Sequence, residues 1–264
     1  MQTRSVPLIV AHRGFSGRQP EMTRAAYRAA IDWSAKTGIE LGLECDVHFS
    51  ADDQLICLHD LSVKRTSRSR GRAHDMTVAQ LKRLDFSRPG PRRWGRTNAA
   101  QRELVTLQEL LIMVGEARDR GVPVSLVVET KHANPRGADV EYRLAEQLAA
   151  LGWDAPDSPV RVISFDQAAV ERLGRLLPHL ERTFLIEKTF GPWIDGRLFD
   201  GVRAVGPDLL LIKEDPGFVA RAHAHGNEVH AWTVNEPADI RFCRDLGVDS
   251  YTTDFPDRVA KILL

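Results

Sequence analysis

The sequence predicts an α/β chain folded as one (β/α)8 barrel with a small insertion, and three observations carry that reading. Short β-rich runs alternate with longer helical patterns from one end of the chain to the other. Eight of those runs read as barrel strands. A helix, a glycine and a strand recur in that order, as in Ala222 to Val229 and Ile240 to Ser250, which fits a closed barrel better than an open doubly wound sheet.

The eight strands fall near Leu8 to Ala11, Leu41 to Asp46, Val124 to Glu129, Val160 to Ser164, Arg182 to Ile186, Val202 to Val205, Glu228 to Thr233 and Ser250 to Thr252. Helical patterns cover Thr23 to Lys36, Leu107 to Arg120, Val140 to Leu151, Gln167 to Leu177, Pro216 to His225 and Pro237 to Leu246. Gly38, Gly121, Gly152, Gly226 and Gly247 come just after helical patterns end, where a left-handed residue closes the last turn. Pro216 and Pro237 suit a first helical turn, where a missing N–H costs nothing. The irregular stretch 60–102 follows a hairpin-like strand, Leu55 to Leu58, and holds a helical pattern over Val78 to Leu84. It reads as an insertion in one βα loop, so residues 1–264 form one domain with 60–102 as an inserted loop region.

Composition sets the outer bounds. Apolar residues at 43% and charged residues at 27% are ordinary globular values, which argues against a disordered chain or a coiled coil. The 36 basic and 36 acidic side chains cancel, which removes any global electrostatic case for nucleic acid or an anionic membrane. Cys45, Cys57 and Cys243 are too scattered for a disulfide framework or a zinc motif, so free thiols in a reducing compartment are expected. The apolar run at Leu8 is too short for a signal peptide, and no segment approaches the ~18 apolar residues of a membrane span. A cytoplasmic protein without stable membrane insertion is the expectation; the oligomeric state stays open.

A barrel of this kind carries its chemistry at the C-terminal ends of its strands. There the sequence places His12-Arg13-Gly14, Glu44-Cys45-Asp46, Glu129-Thr130-Lys131, Trp232-Thr233 with Asn235, and Thr253-Asp254. Residues two apart on a strand share a face, so Glu44 and Asp46 point the same way, and Glu129 ends the next barrel strand. Three uncompensated carboxylates at that spacing would raise one another's pKa, and a divalent cation relieves the repulsion. An oxygen-only donor set favours Mg2+ or Ca2+ over zinc. Salt bridges from Arg13 and Lys131 are the alternative use of these acids, and the two are compatible.

His12 ends strand one, and His59-Asp60 follows the hairpin-like strand. Two imidazoles near a metal-bound phosphate supply what P–O cleavage needs: one takes a proton from the attacking hydroxyl, the other gives one to the leaving alkoxide. Arg13 adds a forked donor for phosphate oxygens and Lys131 a point charge. His48 shares parity with Glu44 and Asp46 but lies one step beyond them, where a loop contact is expected, and His132 is expected to be a solvated loop residue. His230 lies two residues before Trp232 on the same face, either beneath the pocket or as a satisfied core histidine.

His12-Arg13-Gly14, Pro20-Glu21-Met22-Thr23, Glu44-Cys45-Asp46-Val47, His59-Asp60, Glu129-Thr130-Lys131, Trp232-Thr233-Val234-Asn235 and Thr253-Asp254-Phe255-Pro256 together resemble the ordered motifs of the glycerophosphodiester phosphodiesterases. Each motif is weak alone; seven in family order form a strong signal over nearly the whole chain. The resemblance implies a TIM-type barrel, a divalent cation, and hydrolysis of small glycerophosphodiesters such as glycerophosphocholine to glycerol 3-phosphate and an alcohol. It makes His12 and His59 the acid/base pair, Glu44, Asp46 and Glu129 the metal ligands, Arg13 and Lys131 the phosphate contacts, and Trp232 a wall near the glycerol. Glu21 and Asp60 would support the histidines or the ligands. A lipid-directed relative, a lysophospholipase D or phosphoinositide-type lyase, is the nearest alternative. Family members usually carry Asn where this chain has Met22, a departure that bears on substrate orientation.

Overall fold

The computed structural model describes residues 6–88, 97–132, 136–187, 191 and 193–264. The chain opens with β1 (Leu8–Ala11), α1 (Arg24–Thr37), β2 (Leu41–Phe49) and β3 (Leu55–Cys57). Short helices α2 (Val78–Leu81) and α3 (Ala99–Arg102) precede α4 (Leu107–Asp119), β4 (Val124–Thr130), α5 (Asp139–Ala149), β5 (Val160–Ser164), α6 (Gln167–Leu176) and β6 (Glu181–Ile186). The last third runs β7 (Ala204–Pro207), α7 (Leu209–Glu214), α8 (Gly217–Ala224), β8 (Glu228–Ala231), α9 (Pro237–Leu246), β9 (Ser250–Thr253) and α10 (Pro256–Leu263).

Every strand except β3 is parallel to its neighbours, and β1 pairs with both β2 and β9, so eight strands close into a barrel. The expected (β/α)8 architecture is what the chain adopts. β2 outruns the barrel, and its last residues pair antiparallel with β3 in the register Val47↔Cys57 and Phe49↔Leu55. That hairpin carries His59 above the rim. A small apolar cluster joins Val63, Ala73, Leu81 and Phe86 of 60–102 to Ile56 and Leu58 of the hairpin and to Leu104, and so seals the described part of the insertion.

Local chemistry explains the boundaries. Thr23 caps α1 by accepting from the Ala26 N–H, and Thr106 and Glu109 form a reciprocal capping box at α4. Gly38 and Gly247 close α1 and α9 in the left-handed conformation, at φ 70° and 83°. Strand parity then separates two layers. Leu41, Leu43, Cys45 and Val47 of β2 bury against the helices, as do Leu126 and Val128 of β4. The opposite parity faces the barrel axis, where Leu8, Val10, Val127, Ile163 and Leu185 meet.

Several expectations change. β7 starts two residues later than the expected Val202 to Val205, because Val202 packs with Phe184 on the outer side and Pro207 still serves as a strand end. The helices α3, α7 and α10 are not among the expected ones: α3 is a single capped turn in 60–102, α7 reads as a short apolar run, and α10 begins at Pro256 in its first turn. Among the described residues no helix is long and apolar enough to cross a membrane.

Candidate active site

Glu44, Asp46 and Glu129 are the centre of the rim. Parity sends Glu44 and Asp46 inward from β2, and the β2–β4 register sets Asp46 directly beside Glu129. All three are buried, and a donor oxygen from each lies within 4.8 Å of the others. Lys131 Nζ stands 2.8 Å from Asp46 Oδ1 and 2.5 Å from Glu129 Oε1, and Arg13 Nε 3.3 Å from Asp46 Oδ2. Arg13 turns left-handed, at φ 57°, which lets its backbone N–H donate to Glu44 Oε2 at 2.8 Å.

These cations divide the three acids unequally. Burial works against the Asp46 carboxylate, but Lys131 and Arg13 outweigh it and hold its pKa well below the ordinary range. Burial and the Asp46 charge push Glu129 up to about 8, and the same two causes raise Glu44 well above a normal glutamate. Asp46 Oδ2 and Glu129 Oε1 are buried and accept no hydrogen bond of regular geometry. A buried set of oxygens that its cations only partly satisfy fits a hard divalent ion, with Glu44, Asp46 and Glu129 as the residues able to hold it.

Both predicted histidines reach the same cavity, each held by a carboxylate. His12 Nδ1 donates to Asp254 Oδ1 at 2.7 Å, and His59 Nδ1 to Asp60 Oδ1 at 2.7 Å. An ionised carboxylate only accepts, so Nδ1 carries a proton in both rings and Nε2 is the nitrogen left to face a ligand. Asp254 also accepts from Ser16 Oγ and Asn235 Nδ2; burial opposes its charge, but His12 first and then these two partners bring its pKa down to about 2. Burial lowers the His59 pKa, leaving the ring neutral at pH 7.

Arg65, from the insertion, ties the two loops together. Its Nε donates to Asp60 Oδ2 at 2.7 Å, and its two terminal nitrogens donate to the two Glu21 oxygens at 2.8 Å. Glu21 in turn accepts from Arg13 Nη1 at 2.9 Å. Asp60 thus holds His59, one of the contacts expected of it, whereas Glu21 holds Arg13 and Arg65 and touches neither a histidine nor one of the three acids. On the other side of the rim Gly17 lies so close to the Asp254–Phe255 backbone and ring that an added Cβ would stand 2.5 Å from the Asp254 carbonyl oxygen.

The cavity that these groups face has a volume of about 300 Å3. Trp232 forms one wall, edge to face with Phe165 at 5.4 Å, and its indole N–H donates to the Gly206 carbonyl. Every residue that the sequence assigned to catalysis, metal or phosphate comes together here. Sequence reasoning gave no role to Asp254, although it stands at the end of the last strand, nor to Arg65, whose position in the insertion carries no periodic signal; Phe165 was also missed.

Other expectations resolve individually. His48 Nε2 contacts the His59 carbonyl at 3.0 Å, a loop contact, and stays outside the carboxylate cluster. His132 is not a solvated loop residue, since its Nε2 reaches the fully buried Glu141 at 2.9 Å. His230 meets both descriptions: it is hydrogen-bonded and lines the bottom of the cavity. Met22 does not face the substrate cavity. Its side chain packs in the apolar core and its backbone is left-handed at φ 54°, a conformation that Asn tolerates better than most residues. The departure from Asn is thus a matter of backbone strain, not of a lost polar contact with substrate.

A closed parallel barrel with buried carboxylates, two cations and two oriented imidazoles at its C-terminal rim belongs to the class of barrel enzymes that act on anionic substrates. Residues 12–258 match the sequence model of the glycerophosphoryl diester phosphodiesterase family, and the chain belongs to that family. A Mycobacterium tuberculosis protein named "probable glycerophosphodiester phosphodiesterase 1" is 38% identical over 256 residues, covering 96% of this chain and 90% of the relative. The Bacillus altitudinis glycerophosphodiester phosphodiesterase is 28% identical over 256 residues, with 96% and 97% covered. A crystal structure of a Silicibacter pomeroyi protein assigned to the glycerophosphoryl diester phosphodiesterases superposes with a TM-score of 0.80 at 26% identity, covering 98% of this chain and 94% of the other.

Proposed function

We propose that this enzyme hydrolyses small glycerophosphodiesters to glycerol 3-phosphate and an alcohol, using a divalent cation held by Glu44, Asp46 and Glu129. The observation that carries the reading is the convergence, in one cavity, of that carboxylate cluster and two imidazoles whose Nδ1 atoms are both fixed by acids. An oxygen-only cluster favours Mg2+ or Ca2+, and the ion when bound supplies Lewis-acid polarisation of a phosphate oxygen.

The chain's own residues do the rest. Arg13 and Lys131 neutralise the phosphate's nonbridging oxygens, and Trp232 bounds the glycerol end. His59, whose pKa partial burial lowers, takes the proton of the attacking hydroxyl at Nε2. His12, oriented by Asp254, gives a proton to the departing alkoxide. The attacking hydroxyl is either the substrate's glycerol 2-OH, which yields a cyclic phosphate that water then opens, or water itself. Single-turnover assays for a cyclic glycerophosphate separate the two.

The deciding experiment measures glycerol 3-phosphate release from glycerophosphocholine, glycerophosphoethanolamine and glycerophosphoglycerol, with EDTA and Mg2+ or Ca2+ add-back. EDTA and the substitution His12→Ala each abolish release. Turnover that survives EDTA, or activity confined to lysophospholipids, overturns the proposal.

A further inference from the structure

The cavity does not stop at the carboxylates. It continues down the barrel axis between Val10, Val127, Ile163 and Leu185 to a polar floor of Arg161, Thr183, His230 and Ser250. Such interiors are normally filled by layers of branched side chains. Here Ser250 and Thr252 line the cavity at strand positions where larger side chains would close the space. Ile163 pairs with Glu129, so Arg161, two residues earlier, lies roughly 7 Å below the carboxylates. That is the reach of a phosphate ester carrying a three-carbon chain.

The floor has hydrogen-bonding capacity to spare. His230 Nε2 stands 2.9 Å from Glu228 Oε2, and because a carboxylate only accepts, that nitrogen carries the proton. His230 Nδ1 therefore offers one lone pair, yet two donors face it: Thr183 Oγ1 at 3.0 Å and Arg161 Nη1 at 3.3 Å. One donor is left for a ligand, and the threonine oxygen also accepts. The Arg161 charge is answered from below by Glu181, whose side chain is 72% exposed, so no free cation waits for an anion. A hydroxyl, donor and acceptor at once, is the group that this floor matches.

The floor is also closed. Arg161, His230 and Ser250 line a second cavity, of about 190 Å3, at the opposite end of the barrel, so they form a partition one side chain thick. Among the described residues none closes the mouth beside Phe165, whereas the barrel interior admits only a short group.

We infer that the diester binds along the barrel axis, with its glycerol end inside the barrel and its terminal hydroxyl on Thr183, Arg161 and Ser250, so that these residues make a free, unacylated glycerol end the condition for turnover. The leaving alcohol then lies at the mouth, where its identity matters little. This rests on the hydrolase reading above and adds the residues that select the substrate.

The test uses Thr183→Val, which removes the hydroxyl at constant shape, and Ser250→Ala as a second variant should the first fail to fold. Steady-state kinetics compare glycerophosphocholine, glycerophosphoglycerol and bis(4-nitrophenyl) phosphate, which has no glycerol end; wild type is also assayed with 1-acyl lysophosphatidylcholine. Expected is a fall of about 10- to 100-fold in kcat/KM for both glycerol diesters relative to bis(4-nitrophenyl) phosphate, mostly through KM, and no turnover of the acylated substrate. Inhibition by glycerol 3-phosphate weakens by a similar factor relative to that by inorganic phosphate. An unchanged ratio, or acylated and free substrates turned over alike, overturns the inference. If wild type cleaves no phosphodiester, the hydrolase reading fails instead, and calorimetric binding of glycerol 3-phosphate to wild type and Thr183→Val still decides the barrel-interior site.

Discussion

The rim and the floor of the barrel are both polar clusters enclosed by apolar walls, yet their charges are arranged in opposite ways. At the rim three buried carboxylates share Arg13 and Lys131, and two of the three are pushed toward the neutral form. At the floor Arg161 faces Glu181 and His230 faces Glu228, with hydroxyls between them. A cluster left short of positive charge is suited to a cation that arrives from outside. A cluster already balanced is suited to recognising shape and hydroxyls.

Removing a rim carboxylate sharpens the contrast most. Glu44→Gln is expected to lower kcat/KM on the order of 10³-fold or more, because the cation site loses a charged ligand while the amide oxygen can still accept from the Arg13 N–H. Calorimetry should show loss of divalent-ion binding in the same variant. Retained ion affinity with normal turnover would place the chemistry elsewhere.

A middle-sized effect is expected at Arg65, which touches neither cluster. Arg65→Met frees Asp60 and Glu21 at once, so His59 and Arg13 lose their orientation and kcat falls about 10- to 100-fold. Arg65→Lys recovers only part of it, since an ammonium cannot span both acids as the fork does. With Arg65 gone, Asp60 loses the donor that keeps its pKa low, and the acid limb of the pH–rate profile moves. A profile superimposable on that of wild type would mean that Arg65 serves the fold alone.

The last effect leaves turnover aside and is read in stability. Glu129 has an ordinary pKa of 4.5 when unfolded and about 8 when folded, so its contribution is complete below 4.5 and is lost as pH rises toward 8. Glu129→Gln cannot titrate. In EDTA its thermal midpoint, relative to wild type, should therefore rise, by on the order of 10 °C, between pH 5 and pH 8. Saturating Ca2+ or Mg2+ stabilises wild type only and reverses the difference. A gap independent of pH would show that the Glu129 carboxyl is not raised.

The barrel and its rim were legible in the sequence because both depend on periodicity. Parity alone paired Glu44 with Asp46, and the strand ends located His12 and Glu129. What sequence missed depends on contacts between distant segments. Arg65 meets Glu21 across 44 positions and Asp254 meets His12 across 242, and neither pair has any local signature. The floor was half visible. His230 shares a face with Trp232, but nothing in the Arg161 and Thr183 strands announces that their side chains meet at the axis. α7 was lost for another reason: Leu209 to Ile212 is apolar without interruption, and a run that short does not distinguish strand from helix. Of the charged and aromatic residues of the insertion, Arg92, Arg93, Trp94 and Arg96 lie outside the described residues, as does Phe190 of the β6–β7 connection.

Gly17 gives the site a particular brittleness. It takes no part in the chemistry and faces no ligand, yet the Asp254 carbonyl and the Phe255 ring leave no room there for even one methyl group. Asp254 is the acid that orients His12. Any drift at position 17 would therefore be transmitted to the imidazole as a displacement, while the barrel below, joined by its own ladder of strands, stayed intact. Copies of this gene that retain every motif but lose this glycine would encode well-folded, silent barrels, and inspection of the motif residues alone would not tell them from active enzymes.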